Sequence, residues 1–253
     1  MMDSPWSDRL VAHRGYAARY PENTLLAVRE ALNAGARFVE VDIQLSADRV
    51  AVVFHDDDTR RLCGQEGTVQ ALHRAELVAL SCHYPSRFGE VFQGESLATL
   101  SGLRQLMQQF PDVVFFIELK RGSIEHFGRR DFLQTVASGL AAVQDQVVLI
   151  SYDRPILQQA AEQGWRIGVV QDEWPDSEDL QLQQLKPEFL FLDVNCLPAG
   201  PLAWQGARLA VFEVAEAAQA KELMGRGIEL VETFEVGEMR YALTCEQDAL
   251  DAH

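Results

Sequence analysis

Nine short apolar runs recur along the chain, at residues 10–12, 38–43, 50–54, 113–117, 147–150, 167–170, 189–192, 209–214 and 228–231. Most are rich in β-branched or aromatic side chains and are only as long as a buried strand needs. Polar segments with apolar residues at helical spacing separate most of them. The first is the clearest: Asn23 and Thr24 can cap, Leu25, Val28 and Leu32 share a face, and Gly35 ends the helix. Further helical stretches are expected at 97–109, 132–143, 155–163 and 215–225. Strand alternating with helix predicts a parallel sheet with helical crossovers. The count suits an α/β barrel of the (β/α)8 TIM type, with one run to spare.

The spare run is the one at 50–54. Only Ser46-Ala47-Asp48-Arg49 separates it from the run before, which leaves no room for a crossover helix. That spacing predicts a hairpin, so the second run returns antiparallel. If the first run overshoots the top of the barrel, the second comes back to that same top and delivers His55 there. From about residue 56 to 96 the pattern weakens. Gly64, Gly67, Gly89 and Gly94 punctuate a polar segment with one short helical stretch near 72–80. It reads as a small insertion after the second barrel strand, within a single domain spanning 1–253.

Composition narrows the function classes. The chain has 253 residues, 47% of them hydrophobic and 24% charged, and can build a sizeable core without a disulfide or structural metal. A formal net charge of −16 argues against nucleic acid as a partner and against stable anchoring on anionic membranes. It leaves room for a phosphate-bearing small molecule, because one bound cation reverses the local field. Cys63, Cys82, Cys196 and Cys245 have no metal-ligand spacing and read as reduced thiols. Residues 1–8 lack the apolar core of a signal peptide, and no stretch is apolar enough to span a bilayer. These features predict a cytoplasmic protein; they do not address its oligomeric state.

Four short groups carry candidate chemistry: His13-Arg14-Gly15 after the first run, Glu40-Val41-Asp42 in the second, His55-Asp56 after the returning run, and Glu118-Leu119-Lys120 after 113–117. Residues two apart on a strand share a face, so Glu40 projects with Asp42, and Glu118 with Lys120. Paired carboxylates in an otherwise apolar strand need a counter-charge, and a divalent cation supplies one. A ligand set with no Cys or His suits Mg²⁺ or Ca²⁺ better than zinc. Taken singly each group has an ordinary reading: a solvated face, an ion pair, a hydrogen-bonded histidine, a polar turn. All four sit where strands end, which is where barrel enzymes collect their active sites.

Together these residues resemble the glycerophosphodiester phosphodiesterase family. His13-Arg14-Gly15, Pro21-Glu22-Asn23-Thr24, Glu40-Val41-Asp42 and His55-Asp56 follow its signature in order and spacing, and Glu118-Leu119-Lys120 is similar to its later Glu-x-Lys element. The resemblance implies a divalent metal held by Glu40, Asp42 and Glu118, His13 and His55 as the acid/base pair, and Arg14 and Lys120 on the phosphate. It implies hydrolysis of glycerophosphodiesters to glycerol 3-phosphate and an alcohol, by a cyclic phosphate or by direct attack of water. Ser151 falls where the family often has a serine. Asn23 is read first as a helix cap and second as a group that positions the site. His73, His83, His126 and His253 receive no role.

The second half departs from the family pattern. Phe212-Glu213-Val214 stands where a Trp-Thr-Val-Asn-like segment is common, and Glu232-Thr233 is the nearest match to a terminal Thr-Asp. Both changes add negative charge near the mouth and bear on which alcohol is accepted. Two other functions stay open: lysophospholipase D-type activity on lipid diesters, with Phe88 and Phe92 offering apolar surface, and a barrel that binds a phosphodiester without turning it over.

Overall fold

The computed structural model describes residues 6–176 and 178–251 of the chain, so residues 1–5 of the polar N-terminus and His253 lie outside it. Ten strands form one sheet: β1 (Leu10–His13), β2 (Phe38–Leu45), β3 (Ala51–Val53), β4 (Ala98–Thr99), β5 (Val114–Leu119), β6 (Val147–Ser151), β7 (Arg166–Gln171), β8 (Phe189–Asp193), β9 (Arg208–Phe212) and β10 (Leu230–Thr233). β1, β2, β5, β6, β7, β8, β9 and β10 pair in parallel, and β1 closes the ring by pairing with both β10 and β2. The result is the expected eight-stranded β/α barrel.

Alternation along each strand sorts side chains between two cores. Val39, Val41 and Ile43 of β2, with Phe115, Ile117 and Leu119 of β5, pack outward among the helices. Val11, Phe116, Val148, Phe191 and Leu230 fill the barrel itself. Phe116 meets Phe189 and Phe191 edge-on, with centroids 5.0 and 4.8 Å apart. Each such fully buried ring contributes up to ~3 kcal/mol by area. On β2 the inward positions run Phe38, Glu40, Asp42, and on β5 Val114, Phe116, Glu118. The barrel is therefore apolar at its base and ionic at the C-terminal rim.

The expected hairpin is present. β3 runs antiparallel to β2, with Ile43 opposite Val53 and Leu45 opposite Ala51. The Ser46 hydroxyl ties the turn, donating to Asp48 Oδ1 at 2.7 Å and accepting from the Val50 amide at 3.0 Å. β4 then pairs antiparallel with β3, through Val52 opposite Thr99. Between them the polar excursion carries short helices at Arg60–Cys63, Arg74–Leu77 and Pro85–Phe88. It closes over a separate cluster that includes Phe54, Leu62, Val69, Leu77 and Leu97. There the buried Cys63 and Cys82 sulfurs touch at 3.2 Å as free thiols.

Several elements differ from expectation. The helix expected at 97–109 starts later, at Leu100–Met107, because Ala98 and Thr99 are taken into β4 and Thr99 caps the helix through the Gly102 amide. Thr24 alone caps helix Leu25–Asn33, accepting from the Ala27 amide at 3.0 Å; Asn23 is not the cap. Between β8 and β9 the described chain has a 3-10 turn at Val194–Cys196 and then coil, no α-helix. Pro198, Gly200, Pro201 and Gly206 explain that gap, since they break helical hydrogen bonding and raise its entropic cost. Helices Arg121–Phe127, Leu180–Leu185 and Val236–Asp251 were not anticipated. In the last, Arg240 bonds Ser7 and Asp8, tying the C-terminal helix to the start of the fold. Among the described residues no helix is long and apolar enough to cross a membrane.

Candidate active site

β1 ends at His13, and the chain turns sharply over the next two residues. Gly15 has φ +79°, and a Cβ there would stand 2.6 Å from the Ala27 carbonyl carbon. Only glycine fits that approach. The turn seats the loop on the first helix and brings the Arg14 amide 3.1 Å from Glu40 Oε2.

At the rim, Glu40, Asp42 and Glu118 converge, each offering an oxygen within 4.8 Å of the others. Lys120 Nζ lies 3.2 Å from Asp42 Oδ1 and 3.1 Å from Glu118 Oε1. Arg14 Nε is 3.3 Å from Asp42 Oδ2. Asn23 braces Asp42 from below, donating from Nδ2 to Oδ2 at 2.8 Å and accepting from the Asp42 amide at 3.2 Å. Its role is thus at the cluster. A cavity of about 150 Å³ opens above, lined by His13, Arg14, Glu40, His55, Glu118 and Lys120 among others. The structure brings together all seven residues singled out in the sequence.

The electrostatics are those of an anionic pocket short of positive charge. Burial, then the neighbouring Asp42, Glu232 and Glu118, push the Glu40 carboxyl well above the usual carboxylate range. Glu118 is raised by burial and Asp42. Burial opposes ionisation of Asp42 as well, but Lys120, Arg14 and His55 outweigh it and hold its carboxyl low. Lys120 is raised despite its burial, by Asp42 and Glu118. Among the described residues Glu40 Oε1 and Asp42 Oδ1 are buried with no hydrogen bond, although Lys120 stands at ion-pair distance from the latter. Orphaned carboxylate oxygens facing one another are costly unless a cation joins them. This oxygen-only donor set fits a hard divalent ion.

The two histidines are held differently. The His13 ring stacks on Phe234, with centroids 4.7 Å apart and planes 5° from parallel. Its Nε2 lies 3.6 Å from Glu40 Oε2, and its Nδ1 lies 3.1 Å from Glu213 Oε1 without the alignment of a good hydrogen bond. Burial lowers the pKa of His13, partly countered by Glu213. His55 Nδ1 is 2.7 Å from Asp56 Oδ1. The wholly buried Gln44 Nε2 lies within reach of the carbonyls of Phe54, His55 and Asp56, at 3.0, 3.1 and 2.6 Å. That fixes the chain where it leaves the hairpin.

Sequence reasoning missed Arg61, Glu22 and Gln44. Arg61 grips Asp56 through Nε at 2.6 Å and Nη2 at 2.9 Å, and Glu22 through both Nη atoms. Glu22 also accepts from Arg14 at 2.8 Å. The only signal was Glu22 inside Pro21-Glu22-Asn23-Thr24; Arg61 gave none in a polar segment. Ser151 does not face the site: its hydroxyl donates to the Leu119 carbonyl at 2.8 Å and stitches β6 to β5. Glu213 and Glu232 both line the cavity; Glu232 lies on β10 beside β1 and adds to the charge around Glu40, and Glu213 stands against His13. Glu232 is 3% exposed, Oε1 has no hydrogen-bond partner among the described residues, and burial with Glu118 and Glu213 raises its pKa well above the ordinary value.

Comparison with known proteins agrees with this geometry. The model of the glycerophosphoryl diester phosphodiesterase family matches residues 13–158. A glycerophosphodiester phosphodiesterase of Caldanaerobacter subterraneus is 35% identical over 119 residues, 47% of this chain and 48% of that one. A lysophospholipase D of Rattus norvegicus is 29% identical over 113 residues, 44% of this chain and 36% of that one. The matched stretch thus spans about half the length of these relatives or less. A solved phosphodiesterase of Oleispira antarctica, in complex with its product sn-glycerol-3-phosphate, has the same fold, with a TM-score of 0.83 at 23% identity over 93% of this chain and 96% of that one. Since the family model covers more than half of its length, the chain belongs to the glycerophosphoryl diester phosphodiesterase family.

Proposed function

We propose that the protein is a metal-dependent phosphodiesterase that hydrolyses glycerophosphodiesters to glycerol 3-phosphate and an alcohol. One observation carries the reading: three buried carboxylates, two histidines, an arginine and a lysine meet at one small cavity on the barrel rim. Glu40, Asp42 and Glu118 would hold the ion, Mg²⁺ or Ca²⁺, which when bound supplies charge stabilisation to the phosphoryl oxygens. Arg14 offers a planar fork and Lys120 a point charge to the same oxygens. His13, kept neutral by burial, is suited to take a proton from the attacking hydroxyl. His55, braced by Asp56, is suited to give one to the leaving oxygen.

The test is release of glycerol 3-phosphate from glycerophosphocholine and glycerophosphoethanolamine with Mg²⁺, with Ca²⁺ and with chelator, beside Glu40→Ala. Metal-dependent release that vanishes in the variant supports the reading. Binding without turnover in every metal supports the non-catalytic barrel instead.

A second reading, lysophospholipase D-type cleavage of lipid diesters, has one feature in its favour. Tyr20, Phe92 and Phe88 touch in series, at centroid distances of 5.8 and 5.2 Å, and Val91 beside them is 78% exposed. Cleavage of lysolipid micelles with none of soluble diesters is the result that favours it.

A further inference from the structure

We propose that Cys63 and Cys82 form a redox modification site, a dithiol that hydrogen peroxide converts to a disulfide and that then locks the excursion in place around Arg61. The inference stands apart from the function proposed above and needs neither metal nor substrate.

The two sulfurs are 3.2 Å apart as free thiols, and both residues are 2% exposed. A disulfide needs about 2.05 Å, so the sulfurs have only about 1 Å left to travel. The backbone is already tied at that place. The Tyr84 amide donates to the Leu62 carbonyl at 2.8 Å, and the Cys82 amide to the Glu95 carbonyl at 2.7 Å. Ser81 and Ser96 form a bridge beside them. The thiol pair thus sits where the end of helix Arg60–Cys63 meets the limb that returns to β4. Among the described residues, Glu40, Asp42 and Glu118 are the only group of three or more acids, histidines and cysteines at metal-ligand spacing. The two thiols therefore lack the further ligands that a metal would require, and oxidation is the chemistry open to them.

The reaction balances as two thiols and one hydrogen peroxide giving one disulfide and two waters. The first thiol becomes a sulfenic acid as the peroxide O–O bond breaks and one water leaves. The second sulfur then displaces the sulfenic hydroxyl, which departs with the remaining thiol proton as the second water. Hydrogen bonding to Cys63 and burial push the Cys82 thiol up. Oxidation accordingly proceeds during openings of the excursion, whose apolar cluster is separate from the barrel core.

The bond would bracket a functional contact. Arg61 lies two residues before Cys63, and its guanidinium sits 5.2 Å from the ring centroid of Tyr84, two residues after Cys82. Closing the pair fixes both partners of that contact, and with them the Arg61 grip on Asp56 and Glu22. It also closes a loop across a sequence separation of 19, with the exposed Arg74 inside it.

The test treats the reduced wild type with hydrogen peroxide, blocks the remaining thiols and maps the peptides. A linked Cys63–Cys82 peptide is expected. The melting temperature is expected to rise by about 4–8 °C and to return with dithiothreitol. Trypsin cleavage at Arg74 is expected to slow at least about fivefold, and nicked chains to stay joined until reduced. Cys63→Ala should lose all three effects. Free thiols at both positions after peroxide has modified the exposed Cys245 overturn the proposal, as do links made only through Cys196 or Cys245. A Cys63–Cys82 disulfide that leaves melting and cleavage at their reduced values overturns the lock. Peptide mapping of the wild type decides the first point without any variant having to fold.

Discussion

Arg61 and Glu22 form a two-pronged ion pair, with Nη1 to Oε2 at 2.7 Å and Nη2 to Oε1 at 2.8 Å. The same guanidinium holds Asp56, which faces His55, and the same carboxylate holds Arg14. One residue of the excursion therefore sets the spacing between a candidate proton donor and a candidate phosphate contact. Lysine keeps the charge but not the planar fork. Arg61→Lys is expected to lower kcat about 10–100-fold while metal affinity stays near the wild-type value. Steady-state kinetics beside metal titration checks this; wild-type kcat in the variant reduces the network to a structural one.

The cluster is built for a cation, so removing one acid has opposite effects with and without metal. In the metal-free protein Glu40→Gln relieves repulsion with Asp42 and Glu118. We expect its melting temperature without metal to rise by about 2–4 °C, the shift that roughly 1 kcal/mol gives at this chain length. With saturating Mg²⁺ or Ca²⁺ the order reverses, because only the wild type gains stability from the ion. Thermal scans with metal and with chelator read both effects.

The pH dependence has a definite sign. Glu40, Glu118 and Glu232 titrate above their ordinary range when folded. Stability from such groups is present below the unfolded carboxyl pKa and is lost as pH rises through the folded one. The metal-free protein is expected to weaken as pH climbs above ~4.5 and the cluster ionises. Metal binding must displace those protons, so apparent affinity rises with pH and calorimetry in buffers of different ionisation enthalpy detects proton release. Binding without proton release contradicts the shifts.

His13→Gln and His55→Gln are each expected to lower kcat by about 10²–10⁴ with little change in metal affinity. Loss of metal binding in either variant points to a structural role for that ring.

Gly15→Ala tests the turn under the site. The strained φ and the 2.6 Å approach to the Ala27 backbone force the loop off the first helix. A loss of about 1–3 kcal/mol is expected, with reduced activity because Arg14 moves with the loop. Denaturant unfolding measures the first effect and kcat/KM the second.

Strand positions were legible in the sequence because buried strands need runs of apolar, β-branched residues. The site residues were legible because Glu40, Asp42 and Glu118 interrupt such runs at inward spacing. Helix Val236–Asp251 left a readable trace in Val236, Met239 and Leu243, but it starts two residues after β10 and looks like a continuation of the last loop. β4 was hidden inside a helical pattern: two residues give no period of their own, and only β3 as a partner makes Ala98 and Thr99 extended. Arg61 could not be found, because its two carboxylate partners come from different loops whose meeting is set by the barrel. Of the two readings of Asn23 the site-positioning one holds and the cap does not, because a capping residue and a residue in a left-handed turn favour the same side chain.

Glu40, Asp42 and His55 ride on the two arms of a single hairpin. The distance from Glu40 and Asp42 to the candidate proton donor is thus set by a turn of local sequence, Ser46 to Arg49, while Glu118 comes to them from the neighbouring β5. The excursion begins only after His55 has been delivered. The excursion nevertheless reaches back beneath it, since Gln70 donates to Gln44 Oε1 at 2.6 Å and Gln44 in turn holds the Phe54, His55 and Asp56 carbonyls, so a loop exchanged above the site must keep that link to leave the reaction centre unchanged.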